Sequence, residues 1–138
     1  MSARTKNIGI LLGILVAALA VAVPVLAHHS FAAEFDQTKS VKLTGKVTLM
    51  KWANPHAWIY VDVVGKDGKV TNWALETGAA NSLIRRGWRK EDLPFGTVVL
   101  FEGWQARNGS PTANVSSITF ADGRRLFAGS SNPAVPQQ

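Results

Sequence analysis

The chain has 138 residues, with 15 Lys and Arg against 9 Asp and Glu, a formal charge of +6 and no cysteine. That length suits one domain, and the missing cysteine excludes disulfides, thiolate chemistry and thiol metal sites. The basic residues are scattered apart from Arg85-Arg86-Gly87-Trp88-Arg89-Lys90 and Arg124-Arg125, a pattern of solvated faces rather than a nucleic-acid groove.

Arg4 and Lys6 precede an uncharged apolar run from Ile8 to Val23, which Pro24 ends. Val25-Leu26-Ala27 then offers small or tolerated residues before a cut, completing the three-part pattern of a cleavable export signal. An uncleaved membrane anchor competes with this, because residues 8–27 form a stretch of 20, just long enough to span a bilayer. The proline break and the polar sequence that follows favour cleavage. A cut after Ala27 leaves 111 residues, beginning with His28 and carrying 13 basic against 9 acidic side chains, a net +4. That is still enough chain to bury one core. The expected location is the periplasm or the medium, with membrane contact only through the signal before cleavage and no nucleic-acid partner. The remaining partner is an unknown small ligand or protein.

Residues 28–40 read as a lead-in arm, with Phe31 and Phe35 pinning it to the domain. From Val41 to Leu49 the apolar residues Val41, Leu43, Val47 and Leu49 alternate with Lys42, Thr44, Lys46 and Thr48, so strand one has one buried face. Gly45 within it suggests a bend or bulge. Ala53-Asn54-Pro55 is a turn. Strand two buries Ala57, Ile59, Val61 and Val63 and carries His56, Trp58, Tyr60 and Asp62 on its other face. Asp67-Gly68 marks a hairpin into strand three, Val70 to Glu76, with Trp73 and Leu75 inward.

The period then changes. Residues 79–86 read as one short helix, capped by Thr77 or Gly78 and stopped by Gly87, with Trp88 folding back on the core. Strand four is Thr97 to Ala106. Strand five is Thr112 to Phe120, and a bulge at Ser116-Ser117 keeps Val115, Ile118 and Phe120 inward. Asp122-Gly123 turns into Arg124-Arg125-Leu126-Phe127, and a disordered tail is expected from Ala128. Three strands, a helix and two strands predict an all-β fold, a five-stranded antiparallel OB-like Greek-key barrel over 41–127. A split barrel or small sandwich has the same elements.

The run His28-His29-Ser30-Phe31-Ala32-Ala33-Glu34-Phe35-Asp36 resembles the start of a family of bacterial secreted proteins classed as a domain of unknown function (number 6152). Leu43-Thr44-Gly45-Lys46-Val47, Trp52-Ala53-Asn54-Pro55-His56-Ala57-Trp58 and Gly87-Trp88 are similar to its further motifs. Ala53 stands where that family's pattern has Thr. The resemblance implies an exported single-domain protein and no particular activity.

The candidate metal ligands are His28, His56 and His29. A mature His28 presents its α-amine and ring Nδ1 as a chelate, and His56 supplies a third nitrogen, a T-shaped set that suits Cu(II). His29 offers a second geometry through the amine, the deprotonated amide of position two and its own ring. The bland alternative makes His28 and His29 a solvated terminus and His56 a hairpin residue. Zinc fits less well, with no cysteine and no paired carboxylate–histidine spacing. Trp52, Trp58 and Tyr60 fall on the non-core phase and form a candidate ligand-binding face. Alternatively the arm covers them as a second small core, which would carry His28 towards His56. Glu34, Asp36, Asp62, Glu76 and Glu102 are unpaired by spacing and read as surface or arm-docking charges, so no catalytic residue is assigned.

Two functions follow from these residues. One is an exported non-catalytic binding module, with copper as its candidate cofactor; the other is a copper redox enzyme using a histidine brace. No hydrolase or transferase motif is present. Cleavage after Ala27 is checked by the intact mass of the exported protein: a mass lacking residues 1–27 is expected, and one retaining them removes the free His28 amine.

Overall fold

The structure, a computed structural model, describes residues 31–129. The export signal and its cut, His28, His29 and the tail beyond Gly129 lie outside the described residues. The elements in order are α1 (Phe31–Glu34), β1 (Phe35–Lys51), β2 (Trp58–Val64), β3 (Val70–Glu76), α2 (Ala80–Arg85), β4 (Val98–Ala106), β5 (Thr112–Phe120) and β6 (Arg125–Phe127), with a 3-10 turn at Lys90–Asp92 before β4.

Alternation puts Val47 of β1, Ile59, Val61 and Val63 of β2 and Leu75 of β3 on one buried face. Val99 and Phe101 of β4 and Val115, Ile118 and Phe120 of β5 join them. Each buried aliphatic or aromatic side chain here contributes about 1.5–3 kcal/mol by leaving water. The neighbours in the sheet run β3-β2-β1-β4-β5-β6, and β3 also pairs with β5. Five strands therefore form a closed circuit, with α2 between β3 and β4, as the element order predicted.

The fold is all-β and mostly antiparallel, with two corrections to the expected count and sense. Arg125–Phe127 is a sixth strand, paired with β5 at Ser117, Ile118 and Thr119. The closing β3–β5 pair is parallel: Ala74, Leu75 and Glu76 face Thr112, Ala113 and Asn114. Parallel closure arises because α2 and β4 intervene, so β5 runs in the direction of β3 again.

β1 begins at Phe35, so the second half of the expected arm is strand. Its residues Ser40–Lys46 pair with β4 and Lys46–Lys51 with β2, which lets one long strand serve two neighbours. Gly45 leaves no room for a side chain against β2: an added Cβ would lie 3.0 Å from the Asp62 carbonyl oxygen and from Val63 Cγ2. The register shift comes two residues later, between Val47 and Leu49. It rotates the strand, so Leu49 is 54% exposed and Met50 and Trp52 turn to the core instead.

The expected bulge in β5 is present. Glu102 faces Ser117 while Gly103 faces Val115, leaving Ser116 as the extra residue. Ser116 Oγ donates to the Glu102 carbonyl oxygen at 3.0 Å. A side chain at position 103 would collide with the Asn114 carbonyl, so the bulge requires glycine opposite it.

Ala79 takes the N-cap position of α2 with no side-chain cap, in place of the expected Thr77 or Gly78. Gly87 ends the helix at φ 92°, a left-handed conformation that glycine enters without a Cβ penalty. Trp88 is buried, and its Nε1 donates to the Phe127 carbonyl oxygen at 2.9 Å. The expected tail does not begin at Ala128. Ala128 is fully buried, its N–H donates to Ser116 O, and its carbonyl accepts from the Gly78 N–H. Arg86 Nη1 donates to Gly129 O at 2.6 Å.

Glu102 ties four strands on the outer face. Lys42 Nζ of β1 lies 3.0 Å from its Oε1, and Ser117 Oγ and Arg125 Nη2 donate to Oε2. The Lys42 contact first, then Ser117 and Arg125, hold its carboxyl below the ordinary value of 4.5, against the opposing effect of burial.

Gly103→Ala is expected to cost about 1–3 kcal/mol through overpacking against the Asn114 backbone, read as a lower thermal midpoint. The depressed Glu102 pKa gives stability that is complete at neutral pH and is lost as pH falls below the ordinary carboxyl value through the folded one. Glu102→Gln should therefore flatten the acid limb of midpoint against pH, by no more than about 1 kcal/mol for a pair this near the surface.

Candidate functional site at the closing seam

Where β3 pairs with β5, the strands bring two buried polar side chains together. Glu76 is 7% and Asn114 2% exposed, and Asn114 Nδ2 donates to Glu76 Oε1 at 3.2 Å. A buried carboxylate is costly unless hydrogen-bonded, so this contact explains how it is tolerated.

His56 reaches the same carboxylate from the loop before β2, which holds a cis Asn54–Pro55 peptide. The loop is clamped to the end of β3: Ala57 N–H donates to Gly78 O, and Thr77 N–H and Oγ1 both donate to Ala57 O at 3.0 Å. His56 Nδ1 consequently lies 3.2 Å from the Thr77 carbonyl oxygen and 3.4 Å from Glu76 Oε1. Both facing atoms are acceptors. In the neutral ring Nδ1 must then carry the proton, and Nε2 holds the lone pair. The side chain is 40% exposed, so the ring is accessible from solvent.

A cleft of about 370 Å³ opens beside the seam. Ala33, Glu34 and Phe35 line it from the arm, Trp58 and Glu76 from the paired ends of β2 and β3, Arg107 from the β4–β5 connection and Thr112 from the start of β5. The arm is fixed to β4. Arg107 donates through its backbone N–H to Glu34 O and through Nε to Ala32 O, at 2.9 and 2.7 Å. The Phe31 ring packs edge-on to Trp104 at 5.5 Å and beside Phe35 at 5.6 Å.

These contacts change the predicted ligand face. Trp52 packs against the core and leaves the trio, because the shift after Val47 reverses its phase. Trp58 and Tyr60 stay on the outer phase of β2, both half-buried, and Trp58 lines the cleft. The arm runs along β4 at Ala106 and Trp104 instead of crossing Trp52 and Tyr60, since β1 is already paired with β4 at Phe35. It nevertheless shares the cleft with Trp58.

The carboxylates also sort by position. Asp36 accepts from the Thr38 hydroxyl and N–H, Asp62 from Asn72 Nδ2 at 2.7 Å, and Glu102 binds its ion-pair partners. Glu76 is the exception to the surface expectation: it is buried and touches His56. Asn114 and Arg107 were not singled out by the sequence, and Thr77 only as a helix cap. Asn114 lies 38 residues from Glu76, and no spacing rule joins them; only the closing pair does.

Among the described residues no group of three or more His, Asp and Glu side chains is arranged to hold a metal ion, so His56 is the one predicted ligand whose geometry is in view. Among them too, no helix is long and apolar enough to cross a membrane. No curated protein and no solved structure matches the chain. One family model does, described as a family of unknown function (DUF6152), over residues 16–115. That span takes in the arm, His56, Glu76 and the closing residues up to Asn114, and the chain belongs to this family of unknown function.

Proposed function

We propose that the mature protein is an exported, non-catalytic binding module that holds copper between the N-terminal His28 and His56. The observation that carries the reading is the environment of His56. A metal-binding imidazole must offer a bare nitrogen, and its other N–H is ordinarily held by a carbonyl or carboxylate. His56 has both kinds of acceptor at Nδ1, in Thr77 O and Glu76 Oε1, which leaves Nε2 to bind an ion.

The arm supports the same reading. Ala33, Glu34 and Phe35 line the cleft that Glu76 also lines, and Glu76 touches His56. The described part of the arm and the carboxylate beside His56 thus share one cleft. His28 would contribute its amine and ring and His29 a lesser, alternative contact. Trp58 offers an aromatic wall for a small organic ligand or a partner side chain in the same cleft, and Tyr60 lies further along β2. The 40% exposure of His56 also favours the second reading, a copper redox enzyme, because an ion bound there would keep a face open to solvent.

Titration of correctly processed protein with Cu(II), followed by electron paramagnetic resonance, tests the reading. A nitrogen-rich Cu(II) spectrum is expected. His56→Ala should weaken affinity by more than the about 10–100-fold typical of losing an outer-shell partner, and His29→Ala by less. Acidification should release the ion, since protons compete for the ring nitrogens. Unchanged affinity in His56→Ala removes the metal site. Peroxide-driven turnover by the copper-loaded protein would favour the enzyme over the binding module.

A further inference from the structure

We infer that Glu76 is the positioning residue of this site: its buried carboxylate, anchored by Asn114, orients the His56 ring and strengthens Nε2 as a donor. The inference rests on the metal reading of His56. Three features of the geometry support it. Glu76 Oε1 lies 3.4 Å from His56 Nδ1, on the side of the ring opposite the nitrogen left for an ion. The same oxygen accepts from Asn114 Nδ2 at 3.2 Å, so its position is fixed by β5 as well as β3. Both side chains are more than nine-tenths buried, where a charge acts through a lower dielectric than at the surface.

The Thr77 carbonyl and the Glu76 carboxylate have different effects. A backbone carbonyl facing Nδ1 at 3.2 Å is enough to place the ring proton. It carries no net charge. The carboxylate adds a negative charge beside the N–H, which pushes electron density across the ring towards Nε2 and makes it a better metal donor. Asn114 supplies an N–H that keeps Oε1 directed at the seam. Together they make a relay from β5 through β3 to the loop before β2.

The test separates charge from shape. In the metal-free protein, long-range 1H–15N spectra of the neutral ring should show His56 with Nδ1 protonated and Nε2 bare. Glu76→Gln keeps the acceptor oxygen and the Asn114 contact but removes the charge. It should retain that tautomer, move the Nδ1 proton resonance upfield, and weaken Cu(II) affinity by about 10–100-fold. Glu76→Ala should keep the tautomer too, because the Thr77 carbonyl still faces Nδ1, and should weaken Cu(II) affinity at least as much. A purely structural Glu76 would leave the folded Gln variant with wild-type copper affinity, and that result overturns the inference. So does a wild-type ring with a bare Nδ1, a measurement that decides the matter even where a variant fails to fold. If wild-type protein binds no Cu(II), the proposed function fails, while the ring spectra still report whether Glu76 holds His56.

Discussion

The parallel pairing of Ala74–Glu76 with Thr112–Asn114 is the constraint on which the remaining geometry depends. Without it β3 would be a free margin of an open sheet with β2 alone as neighbour, and the Thr112–Asn114 end of β5 would be paired with β4 alone. With it, five strands complete each other's backbone hydrogen bonds, and the apolar faces of all five meet in one core. Unpaired strand edges are a liability for aggregation, and closure removes them along the paired stretch. The same closure forces two polar side chains, Glu76 and Asn114, into contact where water is excluded.

That seam also organises what surrounds it. The C-terminal end of β3 is paired with the start of β2 through Glu76 and Trp58, and its next residues clamp Ala57 and so fix His56. The chain beyond β6 returns to it as well: Ala128 bonds to Gly78 on one side and Ser116 on the other. The arm comes in along β4, whose last residues lie next to the start of β5. The cleft lies between the arm, the paired ends of β2 and β3, and the β4–β5 connection.

The two bulges govern which side chains reach that end. In β5, Ser116 absorbs one residue and keeps both Val115 and Ile118 inward, at the cost of requiring glycine at 103. In β1, the shift after Val47 exposes Leu49 and turns Met50 and Trp52 inward. An extra residue in a strand reverses every later side chain, because the side-chain period is two. The loss of Trp52 from the predicted aromatic face follows from this single shift.

Local chemistry was enough to determine the strands, their turns, the one helix between β3 and β4, the glycine stop at Gly87 and the bulge at Ser116. Each depends on a period or on a residue with few allowed conformations, and both are written in neighbouring residues. His56 stood out for the same kind of reason, as a rare residue type in a short motif. The shift after Val47, the sixth strand and the parallel closure were decided by tertiary structure, because they depend on which strands meet. Asn114 and Glu76 acquire their meaning only there: a polar residue on a strand looks like any solvated position until a second strand, dozens of residues away, is laid over it and removes the water. The tautomer of His56 belongs to the same class, since it is set by the Thr77 and Glu76 oxygens that strand pairing brings to Nδ1.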